Sequence, residues 1–242
     1  MAGKKRQFDS PPPKRRTLQG ESKKRLILKV ATEVFAEKGF NETTISQIAQ
    51  KAKIAEGSIY HYFATKEDLL LSIPEERMEK FLSGLQEHLE GVEGTLNRMR
   101  KLIWYHLYFY EKNKDYVLIL LQNIQQNPRF YSTRAYRLIQ EFGKLAVKII
   151  EEGKKEKVIQ AGIDSRLLRD AILGAVEHIT IRGSILGKLS SLTEAAAPLY
   201  DFFVSGIQVQ DSRPLKNATK RKPTRMGHRK ISPGKPFWRS PG

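Results

Sequence analysis

The sequence contains no cysteine among its 242 residues. This absence excludes disulfides, thiolate zinc sites, iron–sulfur clusters and cysteine nucleophiles. A protein without disulfides fits a reducing compartment, and we predict a cytoplasmic location. The usual enzyme signatures are missing as well, since no metal-ligand spacing, phosphate-binding loop or nucleophile elbow is found. The sequence therefore predicts no metal site, no cofactor and no enzymatic activity.

Long hydrophobic runs are absent too. The apolar stretches at 102–110 and 116–121 are short and flanked by charge, whereas a membrane-spanning helix needs about 18 or more apolar residues. The basic N-terminus leads into Pro11-Pro12-Pro13 rather than into an apolar signal region. We therefore expect no membrane partner and no export signal.

Acidic residues are few relative to basic ones, with 26 Asp and Glu against 43 Lys and Arg and a net charge of +17. Residues 1–21 contribute about +4, residues 211–242 about +9 and the body between them about +4. Both ends are rich in Pro, Lys and Arg, which is typical of disorder. We predict disordered basic tails at 1–21 and 209–242. Such tails either solubilise the protein or contact phosphates, and both interpretations stay open.

Between the tails, apolar residues recur at helical spacing. Gly39 suits the end of the first helix because glycine tolerates a positive φ angle. The apolar stripe of that helix consists of Ile27, Val30, Ala31, Val34 and Phe35.

Short polar motifs mark the next helix starts. Thr44 and Gln47 form a capping box before a second helix, and a third short helix carries Ile59. Thr65 with Asp68 predicts the cap of a fourth helix. Three short helices, two of them joined by a tight turn, predict a helix-turn-helix.

The remainder of the chain is predicted to be helical as well, and no strand is found. Pro74 and Pro198 are expected to interrupt or kink the fourth and the last helix. The other predicted helices are a buried one over 95–112, one opening at Asp115, a long one starting at Asn127-Pro128, one capped by Asp164 and a last one behind a capping box at 191–194. The fold class is therefore all-α.

This N-terminal pattern resembles the TetR family of transcription repressors. The resemblance is strong over residues 22–72 and looser through residue 208. It implies an N-terminal three-helix helix-turn-helix domain at 22–72 and a C-terminal helical ligand-binding and dimerisation domain at 73–208. The matching segments are Ala31–Phe40, Thr43-Thr44-Ile45, Ile48-Ala49, Gly57–Phe63 and Lys66–Leu69.

The resemblance also implies which residues contact double-stranded operator DNA. In the family the third helix enters the major groove, and the N-terminus of the second helix suits a phosphate. The implied contact residues are Thr44, Gly57, Ser58, Tyr60, His61, Tyr62 and Lys66. Four of them have a plainer alternative, because Tyr60 and Tyr62 are able to pack the small domain, Thr44 is a helix cap with or without DNA, and His61 is elsewhere an ordinary surface residue.

A homodimer through the last two long helices, at about 166–186 and 192–207, is a further implication of the resemblance. A dimer fits the geometry of DNA, because two recognition helices must reach major grooves about 34–36 Å apart. The small residues that would let partner helices approach are Ala171, Gly174, Ala175 and Gly183.

The order of segments 151–153, 163–167 and 172–174 is similar to the subgroup of this family that responds to long-chain fatty acyl-CoA. This implies an apolar tunnel with arginines near the acidic phosphates. The candidate ligand residues are Trp104, Tyr108, Arg134, Arg137, Phe142 and His178. The alternative is that the aromatics are ordinary core and the arginines a solvated face. His106 and the pair Glu177-His178 are polar residues on otherwise apolar helices, and a lone buried histidine is usually satisfied by a carbonyl.

These features predict a ligand-responsive repressor that binds a palindromic operator as a homodimer and is released by a small-molecule effector such as a fatty acyl-CoA. The alternative is a non-specific DNA-binding nucleoid protein that acts through its basic tails.

Overall fold

The computed structural model describes the backbone of residues 15–208 and the side chains of residues 20–208. Apart from one antiparallel bridge between Ile159 and Gln208, the regular structure of this part of the chain is helical, so the predicted all-α fold is confirmed. The α-helices are α1 (Arg15–Lys38), α2 (Ile45–Ala52), α3 (Glu56–Tyr60), α4 (Lys66–Leu89), α5 (Thr95–Lys112), α6 (Lys114–Ile119), α7 (Arg134–Lys155), α8 (Ser165–Thr180) and α9 (Ala196–Ile207).

Four irregular turns extend or precede these helices. A π-helical turn, Leu120–Ile124, continues α6, and a second, Ile181–Ile185, continues α8. Turns of 3-10 helix at Pro128–Ser132 and Thr193–Ala195 come before α7 and α9. None of the helices described is long and apolar enough to cross a membrane.

Helix α1 begins at Arg15. The prediction of disorder was therefore wrong for residues 15–21, while its remaining parts, 1–14 and 209–242, lie outside the described residues. Tertiary contacts explain the difference, because Lys23 donates to Ser58 of α3 and the position of a Cβ at Gly20 lies 3.7 Å from the Tyr62 hydroxyl. Composition alone does not reveal such contacts.

The first three helices pack around one small core. Ile27, Ala31 and Phe35 of α1 are buried against Ile48 of α2 and Ile59 of α3. Helix α1 also packs against α4 and α6, whereas the faces of α2 and α3 that point away from this core are exposed to solvent.

Local capping motifs hold the predicted helix starts. Thr44 Oγ1 accepts from the Gln47 amide at 3.2 Å, and the Gln47 side chain accepts from the Thr44 amide at 3.1 Å. Thr65 caps α4 through the Asp68 amide, and Asp164 caps α8. Gly39 adopts the left-handed region with φ +81°, as predicted for the end of α1.

The two prolines do not interrupt their helices. Helix α4 continues through Pro74, which is itself buried and has buried neighbours in Leu70, Ile73 and Met78. Pro198 is the third residue of α9, and the first turn of a helix has no acceptor for its N–H groups, so a proline there removes no hydrogen bond. The expectation of an interruption was wrong at both positions.

The start predicted at Asn127-Pro128 belongs to a short 3-10 turn rather than to the long helix. The Asn127 side chain accepts from the Arg129 amide at 2.9 Å, which caps that turn. Helix α7 begins only at Arg134, where Thr133 accepts from the Tyr136 amide. The chain thus has two cap residues in this region. Asn127 starts the 3-10 turn, and Thr133 starts the α-helix.

The capping box predicted at 191–194 does not form. Instead Glu111, at the end of α5, accepts hydrogen bonds from the backbone amides of Leu192 at 2.8 Å and Thr193 at 3.1 Å. Its carboxylate also accepts from the Ser191 hydroxyl, and these hydrogen bonds hold its pKa below the usual range. A distant carboxylate thus replaces the local cap.

Helix α5 is the centre of the larger helical part, as its apolar character predicts. It packs against α4, α7, α8 and α9. Phe81 of α4 meets His106 and Phe109 of α5 and Phe142 of α7, with ring centroids 4.9–5.3 Å apart. Close packing extends to Gly153, where a Cβ would lie 2.6 Å from Cδ1 of Ile159.

The close packing at Gly153 predicts a stability effect. Gly153→Ala should lower the free energy of unfolding by about 1–3 kcal/mol because the added methyl forces its neighbours apart. Gly143→Ala in the same helix is the matched control, since its Cβ would meet only the flexible Arg169 side chain at 3.5 Å. We expect it to be neutral or stabilising by up to about 1 kcal/mol. Urea unfolding followed by circular dichroism measures both, and equal stabilities would contradict the prediction.

Candidate DNA-binding face and internal cavity

Helix α3 presents an exposed face. Ile59 is fully buried, whereas Gly57 and His61 are exposed and the Tyr60 side chain is 51% exposed. Burial of one apolar residue fixes the helix on the core and directs its neighbours outward. The structure therefore brings Gly57, Tyr60 and His61 of the predicted set onto one outer surface.

We call the N-terminal helices α1 to α3 the head. The packing of the head does not require a glycine at position 57. A Cβ placed there would meet nothing within 4 Å, and its φ angle is not positive. The open space in front of Gly57 permits close approach of another molecule to the α3 backbone.

Ser58 and Tyr62 are half-buried next to this surface. Lys23 of α1 donates to Ser58 Oγ at 3.2 Å. The ring of Tyr62 packs edge-on against His61 with centroids 5.1 Å apart, so Tyr62 has a packing role whatever else it contacts.

Basic residues of α1 adjoin α3, and sequence reasoning had not included them in the site. Lys23 reaches Ser58, and the Lys24 ammonium lies 6.0 Å from the Phe63 ring centroid. The run 23–25 of three basic residues was the available signal, but it was not singled out as contact-forming. These cations add positive charge beside the exposed face of α3.

Lys66 differs from its predicted role. Its Nζ donates to the carbonyl oxygens of Phe40 and Thr43 at 2.8 Å each, and a third contact reaches the carbonyl of Asn41 at 3.3 Å. An ammonium group has only three N–H donors. Because all three are engaged, Lys66 ties the turn after α1 to α4 and has no donor left for a phosphate.

Thr44 lies at the exposed N-terminus of α2. Its hydroxyl takes part in the capping box described above, which confirms the prediction that Thr44 caps α2. The backbone at this position still faces solvent, so a contact with phosphate is not blocked by the fold.

An internal cavity of about 110 Å³ lies among α4, α5, α7 and α8. Its apolar lining residues are Met78, Phe81, Leu120, Ile139, Phe142 and Leu173, and its polar lining residues are His106, Tyr110, Gln125 and Glu177. A smaller void of about 10 Å³ shares Leu173 with the cavity and continues along Met99, Ile103, Ile149 and Arg169. The two voids mark one apolar seam between α5, α7 and α8.

Only one of the six predicted ligand residues, Phe142, lines this cavity. Trp104 and Tyr108 stack on each other on the other side of α5, with centroids 5.0 Å apart and planes at 12°. Residues two positions apart on a helix are separated by about 200°, so the cavity receives His106 and Tyr110 instead. The sequence signal for this cavity-lining position was His106, a polar residue on an otherwise apolar helix, which is not among the six predicted ligand residues.

The predicted basic ligand residues also lie outside the cavity. Arg134 pairs with Glu75 and Glu79 of α4, which raises the pKa of its guanidinium. Arg137 is exposed and donates to the Ser132 carbonyl at 3.3 Å. His178 is exposed on α8, and its neighbour Glu177 takes the lining position.

His106 is the unusual group of the cavity. Its side chain is buried, and its Nδ1 atom has no hydrogen-bond partner. Burial lowers the pKa of the imidazole to about 3, so the ring is uncharged at neutral pH. Burial and the negative charge of Glu177 raise the pKa of the Tyr110 hydroxyl, which is therefore also uncharged.

Two carboxylates at the start of α4 are held by the turn that follows the first π-helical turn. Asn127 Nδ2 donates to Glu67 at 2.6 Å, and Arg129 donates to Glu67 at 2.6 Å and to Asp68 at 2.7 Å. These hydrogen bonds lower the pKa of both carboxyl groups. We call this set of contacts the α4 latch.

Apolar surface is exposed on α8 and α9. The side chains of Leu167 and Phe202 are 68% and 72% exposed, and Ala171 and Gly174 are exposed on the same helix as Leu167. Gly183, by contrast, is needed inside the subunit, because a Cβ there would collide with Leu192.

Known proteins share this arrangement. The fatty acid metabolism regulator protein of Bacillus subtilis (strain 168) is 25% identical over 181 residues, which cover 75% of this chain and 93% of that protein. The HTH-type transcriptional repressor KstR2 of Rhodococcus jostii (strain RHA1) is 27% identical over 183 residues, covering 73% and 89%. The crystal structure of the transcriptional regulator FadR from Bacillus subtilis in complex with stearoyl-CoA has a TM-score of 0.70 and 25% identity, covering 76% of this chain and 99% of that one.

The names of these relatives describe regulators, two of them of transcription. Residues 27–73 match the family model described as bacterial regulatory proteins, tetR family, and residues 74–206 match the model described as YsiA-like protein, C-terminal region. With a helix-turn-helix head, a helical body and both models matched in sequence order, this chain belongs to the TetR family of DNA-binding transcription regulators.

Proposed function

We propose that this protein is a repressor that binds a palindromic operator as a homodimer and releases it when a long-chain fatty acyl-CoA enters the internal cavity. The observation that carries the proposal is the exposed outer face of α3, where one buried residue, Ile59, orients Gly57, Tyr60 and His61 toward solvent. A face of this kind fits the major groove of DNA.

For the DNA contacts we propose Tyr60 and His61 as base or backbone contacts and Gly57 as the point of closest approach. Ser58 and Tyr62 flank them, and the amide end of α2 at Thr44 meets a phosphate. Lys23 joins this set because its ammonium already lies beside Ser58.

The homodimer would form through α8 and α9. Leu167 and Phe202 are the two most exposed large hydrophobic side chains among the described residues, and they lie on the helices that the family uses for pairing. Exposed Ala171 and Gly174 allow close approach of a partner helix. A two-fold dimer also places two copies of α3 for successive major grooves.

An acyl chain is the effector that suits the interior. The cavity and the adjoining seam are lined mainly by aliphatic and aromatic side chains, and an elongated apolar channel favours an elongated apolar ligand. The relative whose structure contains stearoyl-CoA supports this choice. At about 110 Å³ the cavity is small, so α5, α7 and α8 must separate for a long chain to enter.

The α4 latch offers a route from cavity to head. Leu120 and Gln125 line the cavity at either end of the first π-helical turn and its C-cap. Asn127 and Arg129 follow directly and hold Glu67 and Asp68 of α4. A ligand that displaces this turn therefore pulls on the N-terminus of α4, next to α3.

The DNA-contact proposal predicts a split between binding and stability. Tyr60→Ala should reduce affinity for an operator selected from random duplexes at least about tenfold with an unchanged melting temperature, because Tyr60 is exposed. Lys66→Ala should instead lower the free energy of unfolding by about 1–3 kcal/mol, since it leaves three carbonyls without their donor. Gln140→Ala, at an exposed position of α7 away from α3, is the control. Unchanged operator affinity in Tyr60→Ala would contradict the assignment.

The effector proposal is tested by adding CoA thioesters of increasing chain length to the protein and to its operator complex. Long chains should raise the melting temperature and release the DNA, because the acyl chain binds only the rearranged subunit. Free CoA is the control, as it lacks the chain. Absence of both effects at every chain length would overturn the acyl-CoA effector. Equal affinity for every DNA tested would overturn the repressor and favour the charge-driven nucleoid alternative.

The latch predicts a coupling defect. Arg129→Ala should diminish the effector-induced loss of operator affinity about fivefold or more, which corresponds to the lower range of allosteric coupling. Arg134→Ala is the matched control, because Arg134 also pairs with two carboxylates of α4 and is equally exposed, at 52% against 55%. Anisotropy titrations with and without effector measure the ratio of affinities. The same ratio in both variants would argue against the latch as the route.

A further inference from the structure

The lining of the internal cavity includes four polar residues, His106, Tyr110, Gln125 and Glu177, whereas the rest of the lining is apolar. The ring centroids of His106 and Tyr110 lie 4.5 Å apart, and Glu177 is close enough to Tyr110 to raise the pKa of its hydroxyl. We call the part of the cavity formed by these polar residues its polar end. Glu177 is exposed and Gln125 half-buried, so this end adjoins the solvent. The apolar remainder continues into the seam along α5, α7 and α8.

One group at this end lacks a partner. The His106 side chain is only 8% exposed, and its Nδ1 atom makes no hydrogen bond. The rings of Phe81, Tyr110 and Phe142 surround it with centroids 4.5–5.3 Å away. An unsatisfied buried polar atom costs about 1–3 kcal/mol, and such an atom beside a cavity is a reason to expect a polar group of a ligand there.

The electrostatics of the polar end select an uncharged group. Burial holds His106 and Tyr110 in their neutral forms, through a lowered imidazole pKa and a raised phenol pKa. Neither supplies a positive charge, and Glu177 adds a negative one. A carboxylate or phosphate placed among these groups would be repelled and poorly solvated, whereas a carbonyl oxygen accepts from N–H and O–H donors without a charge.

We propose that His106 and Tyr110 form a subsite that donates hydrogen bonds to the uncharged carbonyl oxygen of the effector's thioester. This inference rests on the proposed function and extends it to the part of the effector that is recognised. The alkyl chain then lies in the apolar part of the cavity and in the seam. The CoA portion of the effector extends to solvent past Gln125 and Glu177. The subsite distinguishes a thioester from the free acid, whose carboxylate carries a charge.

The π-helical turns support this position. Gln125 follows one of them and Glu177 lies four residues before the other. A π-helical turn is less regular than an α-helical one, and such turns are common at functional sites. The cavity-lining residues Gln125 and Glu177 are thus each close in sequence to a π-helical turn.

Three probes test the subsite: palmitoyl-CoA, the thioether S-hexadecyl-CoA, which lacks the carbonyl, and palmitate. With the unmodified protein, calorimetric titration should give about tenfold tighter binding of the thioester than of the thioether, and weaker binding still of palmitate. In His106→Phe this preference should fall to about twofold or less, with the thioether affinity unchanged. Phenylalanine suits the aromatic surroundings, so the variant should fold.

Tyr110→Phe is a second variant, which should remove part of the same preference. Tyr108→Phe is the matched control on the other side of α5 and should retain the full preference. Equal binding of thioester and thioether by the unmodified protein, or a preference that survives in His106→Phe, overturns the subsite but leaves the acyl-CoA effector in place. Failure of all acyl probes to bind overturns the proposed effector and the subsite together.

Discussion

The contact of Phe81 with α5 and α7 is the constraint on which the rest of the molecule depends. Phe81 lies on α4, which begins next to the DNA-binding face, and its ring meets His106, Phe109 and Phe142 within 5.3 Å. It is thus both a wall of the cavity and a part of the helix that reaches the head. Because protein interiors are close-packed, a ligand cannot enter beside Phe81 without moving α4 or its neighbours. In the proposed mechanism, this packing is what couples effector binding to a movement of α4.

Features encoded within a few residues were predictable from the sequence. The caps at Thr44, Thr65 and Asp164 depend on a side chain and an amide two or three residues away, and all three form. The local box at 191–194 failed because Glu111, some 80 residues earlier, binds the Ser191 hydroxyl and accepts from the neighbouring amides of Leu192 and Thr193. A competing partner from a distant helix is invisible to local rules. The partners of Lys66 were unpredictable for the same reason, since its carbonyl acceptors come from another segment.

The residues on the exposed face of α3 were predictable from the sequence, whereas the residues that line the cavity were not. In the head a single stripe of apolar residues fixes which face is buried, so the outward direction of Tyr60 follows from the burial of Ile59. Helix α5 is apolar on most sides, and periodicity does not say which face meets the cavity. Aromatic content favoured Trp104 and Tyr108, whereas the helices around α5 place His106 and Tyr110 inward.

The unsatisfied His106 is consistent with the proposed function, in which the protein changes its conformation on binding an effector. In a purely structural core this position would be more stable with an apolar residue, because the imidazole loses its hydrogen bonds to water on burial. A ligand that supplies the missing partner removes that penalty only in the bound arrangement, and so adds to the preference of the ligand for that arrangement. A ligand that binds through apolar contacts alone would not distinguish the empty arrangement from the bound one at the polar end. Under the proposed function, the same atom that destabilises the empty protein would contribute to the distinction between the empty and the occupied state, and it lies next to Phe81 of α4, through which that distinction would reach the head.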